Sequence, residues 1–414
     1  MNVSIDPVIA SRIKAAWNQL TPDQQVRLAP AISAANQQAV LFSQTGQAPP
    51  VTAASRHLML AHSVLSNDSD QVLSRLESGV VCDVGPDGTI WGTGKYQQLD
   101  PGWTESLADA LESLLPLVGG KHPFAQNPQI IQVPDDVEIA LAGDFGTGDW
   151  RTPGNPAPST NVRNQMQLLQ PDITIHLGDV YYAGTADQEQ QTLVQIWPKG
   201  SIGSLALNSN HEMYSGAKPY FTAIANPPFE MQQGCSFFAL QNTNWVIVGL
   251  DSAYYSDEKG LYQDGALYPL NTPNAQNSFL LTQASRKKLI LLTHHNGLDT
   301  TGSKTNNLWN QVIGAFPAGS GPAYWYYGHS HIAAVYKPQG LGNTLCRCCG
   351  HGGLPWGQAP ELDTPQVSWY EKRPANDPDV PERVLNGFAM LRLSGPDIQE
   401  TFYDENGGVA WQSG

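Results

Sequence analysis

Ile173-Thr174-Ile175-His176-Leu177-Gly178-Asp179-Val180-Tyr181-Tyr182 decides how this chain is read. A largely apolar, β-branched run ends on Gly-Asp, as a buried strand does where it passes into a loop. The same grammar recurs on both sides. Val137–Ala142 runs into Gly143-Asp144-Phe145-Gly146, and Ser204–Leu207 precedes Asn210-His211-Glu212. Leu289–Thr293 runs into His294-His295, and Ala323–Tyr327 into Gly328-His329-Ser330-His331. Any one of these clusters is an ordinary turn with a capping Asp or a satisfied polar residue. All five in order, each behind a strand-like run, make chance assembly a poor explanation.

Carboxylate, amide, imidazole and phenol donors delivered from several strand ends can converge where open α/β sheets bind ligands. Mixed oxygen and nitrogen donors suit Fe, Mn, Zn or Co, and not the all-oxygen shell of Ca or a thiolate cage. The chain therefore reads as a dinuclear metal hydrolase.

Order and content resemble the calcineurin-like metallophosphoesterase superfamily, and within it the purple acid phosphatase branch. That branch's pattern, GDxG, GDxxY, GNH(D/E), VxxH and GHxH, stands here as Gly143–Gly146, Gly178–Tyr182, Ser209–Glu212, Leu291–His294 and Gly328–His331. Most of the superfamily has Asp-x-His in the first motif. Gly146 occupies the His position, and the branch's compensating tyrosine falls at Tyr182. A phenolate is a hard anionic donor suited to Fe(III).

The resemblance implies a four-layer αββα sandwich of α/β class. It also implies one metal ion on Asp144, Asp179, Tyr182 and His331, and a second on Asp179, Asn210, His294 and His329. The ions would be Fe(III) plus a divalent ion, Fe, Zn or Mn. Such a pair, about 3.5 Å apart, stabilises attacking and leaving oxygens and makes hydroxide available near neutral pH. His211 corresponds to the family histidine that contacts phosphate or protonates the leaving group. His295 and His351 are further substrate-contact candidates. The implied substrate is a small-molecule phosphate ester, a monoester before a diester.

Three departures stand out. Ser209 replaces a glycine, which costs strain only if that residue needs φ > 0. Leu291 replaces valine, a conservative change in a buried strand. His295-Asn296-Gly297 follows His294 where the family usually has a proline, so the pocket wall differs.

A net charge of −15 with only 22 Lys and Arg argues against a nucleic-acid partner. No apolar stretch reaches the ~20 residues of a membrane span, and the amino terminus shows no secretory pattern. Five cysteines, three of them in Cys346-x-Cys348-Cys349, form no disulfide framework, so a cytoplasmic home is expected. The Cys cluster reads as buried strand, not as a zinc site.

Residues 1–130 read as a helix-rich region of unassigned role, and 131–414 as the catalytic domain. Helical spacing covers Pro7–Leu20, Ala53–Leu65 and Thr104–Leu117, and Thr21-Pro22 opens a further helix through Val40. Val80–Trp91 reads as a hairpin and 355–380 as a long surface loop. Gly387–Ser394 and Glu400–Gln412 read as strands, the second interrupted by a turn at 404–408. Two alternatives stay open: a phosphodiesterase, including one for cyclic nucleotides, and a binding or scaffold module with a vestigial metal site.

Overall fold

Three of the motif-bearing runs, Asp136–Ala142, Ile173–His176 and Gly203–Ala206, lie side by side and parallel, with Ile139 opposite Ile173 and Ile173 opposite Gly203. Gly387–Ser394, Asp397–Asp404 and Val409–Gln412 extend them antiparallel into a six-stranded sheet. The other two runs, Lys288–Thr293 and Tyr324–Tyr327, are parallel neighbours at the centre of an eight-stranded sheet. This computed structural model describes residues 3–49, 55–66, 71–77, 82–116, 119–151, 155–270, 272–284 and 288–414.

The two sheets face each other across one apolar layer, with Ile139, Leu141, Ile175 and Leu205 on one side and Leu240, Ile247, Ile290 and Leu292 on the other. One buried ion pair crosses this layer. Arg347 Nε and Nη2 donate to Glu400 Oε2 and Oε1 at 2.7 and 2.9 Å, and Tyr326 Oη donates to the same carboxylate. Helices Ala275–Ala284 and Asn307–Ile313 cover the outer face of the larger sheet through Leu280, Leu308 and Val312. Pro158–Leu169 covers the smaller sheet through Val162 and Met166. The result is the αββα sandwich.

In the amino-terminal region, helices Pro7–Gln19 and Pro22–Thr45 form, the second opened by a capping box between Thr21 and Gln24. The expected helix over 53–65 is instead a 3-10 turn, Arg56–Leu58, followed by Ala61–Leu65; residues 53 and 54 lie outside the described residues. Trp103–Ser113 replaces the longer helix expected to Leu117, which is itself outside the described residues. Asp83–Val84 and Ile90–Trp91 make the hairpin, and residues 80 and 81 of that expectation are not described. Ile32, Phe42, Leu58 and Leu107 share one buried cluster with Phe145, Val180, Tyr214 and Phe388. The amino-terminal region is thus joined to the rest of the chain, and Ser106 Oγ donates to Tyr182 O and Tyr96 Oη to Thr147 O across the join.

One loop expectation is corrected. Val367-Ser-Trp-Tyr370 is a strand, paired antiparallel with Ala333–Tyr336. Its Pro- and acid-rich flanks hid three β-favouring residues, Val367, Trp369 and Tyr370, in a strand that completes a sheet edge. Leu345–Cys349 is a buried strand, and all five cysteines are free. Among the described residues no helix is long and apolar enough to cross a membrane.

Candidate metal centre

The carboxyl ends of the parallel strands bring the five motifs together, and the backbone there is unusual. Asp144, Asp179, His329 and His331 all have positive φ (57°, 78°, 68° and 55°), a region non-glycine residues seldom occupy and one that clusters at functional sites. The neighbouring glycines allow close approach. A Cβ at Gly178 would lie 2.6 Å from the His294 ring, and one at Gly146 would lie 2.6 Å from both Asp179 O and Val180 Cα.

One group of donors gathers around His294. Its Nδ1–H donates to Leu177 O at 2.8 Å, which leaves the Nε2 lone pair facing inward. That lone pair lies 2.9 Å from Asn210 Oδ1, 3.2 Å from Asp179 Oδ1 and 3.3 Å from His329 Nδ1. Asn210 Nδ2 donates to Tyr214 Oη, which turns Oδ1 toward the imidazoles. His294 Nε2, Asn210 Oδ1 and Asp179 Oδ1 are thus acceptors facing one another, an arrangement a cation resolves. The donor set is right for an ion of the Fe, Zn or Mn kind.

A second group is Asp144, Asp179 and His331, whose ligand atoms all lie within 4.8 Å of one another. His331 Nε2 is 3.1 Å from Asp144 Oδ1. Burial, then the charge of Asp179, pushes the Asp144 carboxyl well up. Burial works against the Asp179 charge, yet His211 and His294 hold that carboxyl well below its usual range. Two buried carboxylates this close do not both ionise without added positive charge, which is a second reason the cluster fits a cation.

The structure places the two tyrosines differently from what motif counting expects. Tyr182, placed in the cluster by motif counting, points away: its Oη donates to Asp100 Oδ2 at 2.5 Å and Lys95 Nζ sits over its ring. The phenol that reaches the carboxylates is Tyr181, whose Oη donates to Asp179 Oδ2 at 2.9 Å and lies 3.3 Å from Asp144 Oδ1. Backbone bonds explain the choice. Gly146 N donates to Asp179 O and Tyr181 N to Gly146 O, so Tyr181 is carried past the bare glycine onto Asp144. Adjacent tyrosines left the sequence no means of ranking one above the other except the family's spacing.

His211 borders the cavity. Its Nδ1 donates to Tyr182 O at 2.6 Å, and Nε2, 3.8 Å from Asp179 Oδ2, lines the cavity. His295 is locked, with Nε2 donating to Tyr262 O and Nδ1 accepting from Ser252, so both ring nitrogens are engaged within the protein although its edge lines the cavity. His351 lies outside the cavity, stacked on Phe402 with centroids 6.1 Å apart. Ser209 is unstrained at φ −135°, and its hydroxyl caps the following turn while touching both Asp179 and Glu212.

The cavity over the cluster encloses about 570 Å³. Its wall includes Arg56, His57, Asp87 and Trp91 from the amino-terminal region, which the sequence left without a ligand set.

Two facing sheets with acid, amide and imidazole donors at their parallel strand ends define a metallophosphoesterase architecture. Residues 137–333, which carry all five motifs, match the model of the calcineurin-like phosphoesterase family. No curated protein matches it. Among solved structures it is similar to the purple acid phosphatase PPD1 from yellow lupin seeds, at 15% identity and a TM-score of 0.48, covering 68% of this chain. The match spans only 54% of the lupin chain. GAP50 of Plasmodium, described as an anchor in the inner membrane complex, is similar at 11% identity and TM-score 0.46, covering 67% of this chain and 88% of that one. A dimetal phosphatase from Danio rerio is similar at 12% and 0.42, covering 65% and 95%.

Proposed function

We propose that the chain hydrolyses phosphate esters, monoesters before diesters, at a dinuclear metal centre. The reading rests above all on the inward-facing acceptors of His294, Asn210 and Asp179, gathered beside His329 Nδ1. Asp179, Asn210, His294 and His329 would hold one ion, and Asp144, Asp179, His331 and Tyr181 the other. A phenol among the donors favours Fe(III) beside a divalent ion. Bound there, the ions supply Lewis acidity and a low-pKa water.

The chain's own residues do the rest. Asp179, with oxygens on both groups, sets their separation. Asn210 is oriented by Tyr214. His211, with Nδ1 anchored, keeps Nε2 toward the cavity, where a protonated ring can donate to a leaving oxygen. Burial lowers the His211 pKa and the charge of Asp179 opposes that, so an arriving anion would favour the protonated ring.

Metal analysis and matched mono- and diester chromogens test the reading. Two ions per chain, with iron among them, and loss of both ions and hydrolysis in Asp179→Ala are expected. Full activity without metal would sink the proposal, and a large kcat/KM preference for the diester would reverse the substrate order.

A further inference from the structure

The cavity wall contributed by the amino-terminal region holds a cation, Arg56, in an unusual setting. Its guanidinium carbon lies 5.0 Å from the ring centroid of Trp103 and 5.0 Å from that of Trp356, between the two indoles. Both rings are themselves fixed, Trp103 Nε1 donating to Gln97 O and Trp356 Nε1 to Asp87 O. The backbone below is fixed as well: Ser55 caps the 3-10 turn, and Leu58 at its end and Met59 and Leu60 just after it are buried. Arg56 Nη2 donates to His331 Nδ1 at 3.2 Å. Among the described residues no carboxylate lies within ion-pair distance of it.

A guanidinium cannot shed its charge to escape such a site, and it presents a planar fork of donors suited to phosphate oxygens. The carboxylates that act on it from nearby are Asp87, Asp179 and Asp144. The contact with His331 adds a constraint. With Nδ1 accepting from Arg56, the ring proton is on Nε2, toward Asp144. Ligation through Nε2 needs that proton on Nδ1, where it would meet the guanidinium's own N–H groups. Two donors then oppose each other, and the fork is left to an anion.

We infer that Arg56 is a substrate-binding residue, its guanidinium gripping the non-bridging oxygens of a phosphomonoester held over the Asp144–Asp179–His329 cluster. This rests on the phosphoesterase reading and deepens it. The added cation favours the dianionic monoester over the singly charged diester, and it makes the amino-terminal region part of the active site.

The test compares metal-loaded wild type with Arg56→Met, which keeps the stem between the indoles, and Arg56→Lys, which keeps only a point charge. Inorganic phosphate binding is measured by calorimetry, metal content by elemental analysis, and kcat/KM on matched mono- and diesters. Arg56→Met should retain both ions, weaken phosphate binding on the order of 10- to 100-fold, and lose more on the monoester than on the diester. Arg56→Lys should recover part of the loss. Phosphate binding within twofold of wild type in Arg56→Met, or loss of metal in both variants, would overturn the inference. Wild type that binds phosphate through Arg56 yet hydrolyses neither ester would instead overturn the phosphoesterase reading alone. Wild type that binds no phosphate would overturn both.

Discussion

Tyr181 and Tyr182 differ by one position and have opposite surroundings. Tyr181 faces Asp144 and Asp179, whereas Tyr182 donates to Asp100. If Tyr181 ligates iron, Tyr181→Phe should bleach the visible charge-transfer band of iron-loaded protein. Tyr182→Phe should keep the band and cost about 1–3 kcal/mol of stability for the lost bond to a carboxylate, read by denaturant unfolding. The opposite pattern would restore Tyr182 as the ligand. For His211, replacement by Ala should cut kcat by about 10²–10⁴ with metal content unchanged. The loss should be smaller on nitrophenyl esters than on alkyl phosphates, because a good leaving group needs no proton. Equal losses on both would assign His211 to binding.

The strands that carry the motifs were legible because each is a buried apolar run ended by Gly or by a polar turn. Ser209 and Gly146 show what a motif conceals. The serine needs no left-handed backbone, and the glycine is required by the passage of Val180. A Cβ at 146 would strike backbone on both sides, so Gly146→Ala should lower metal content and thermal stability together. The π-helical stretch Glu189–Val194 was not foreseen, since nothing in its composition marks a change of helical pitch. It buries Glu189, whose carboxylate oxygens have no hydrogen-bond partner among the described residues, and burial pushes that carboxyl up to about 8. The folded chain then keeps a proton that the unfolded chain releases above about pH 4.5. Stability should therefore fall as pH rises from about 5 to 8. Buried Glu212, also raised, adds to the slope. Melting temperatures of Glu189→Gln across that window should decline less steeply than wild type, and identical slopes would refute the assignment.

Taken as one molecule, the chain joins what its composition suggested were two parts. Helical periodicity announced the amino-terminal helices, but neither period nor charge could say where they dock. Docking is decided by shape, and Arg56 has no neighbour in sequence that hints at a phosphate. Because Phe42 and Leu58 share a buried cluster with Phe145, Val180 and Phe388, removing residues 1–130 should yield insoluble protein. A soluble remainder with unchanged hydrolysis would show the region to be separable. The same cluster bears on how the chain acquires its structure over time. The cluster draws in residues as distant in sequence as Phe388 and Met390, so it is complete only once nearly the whole chain has been made. Closing loops of that span is slow, and an uncovered face invites aggregation meanwhile. A ribosome halted before Gly387 would therefore hold a chain with all five motifs already made and this buried cluster still open.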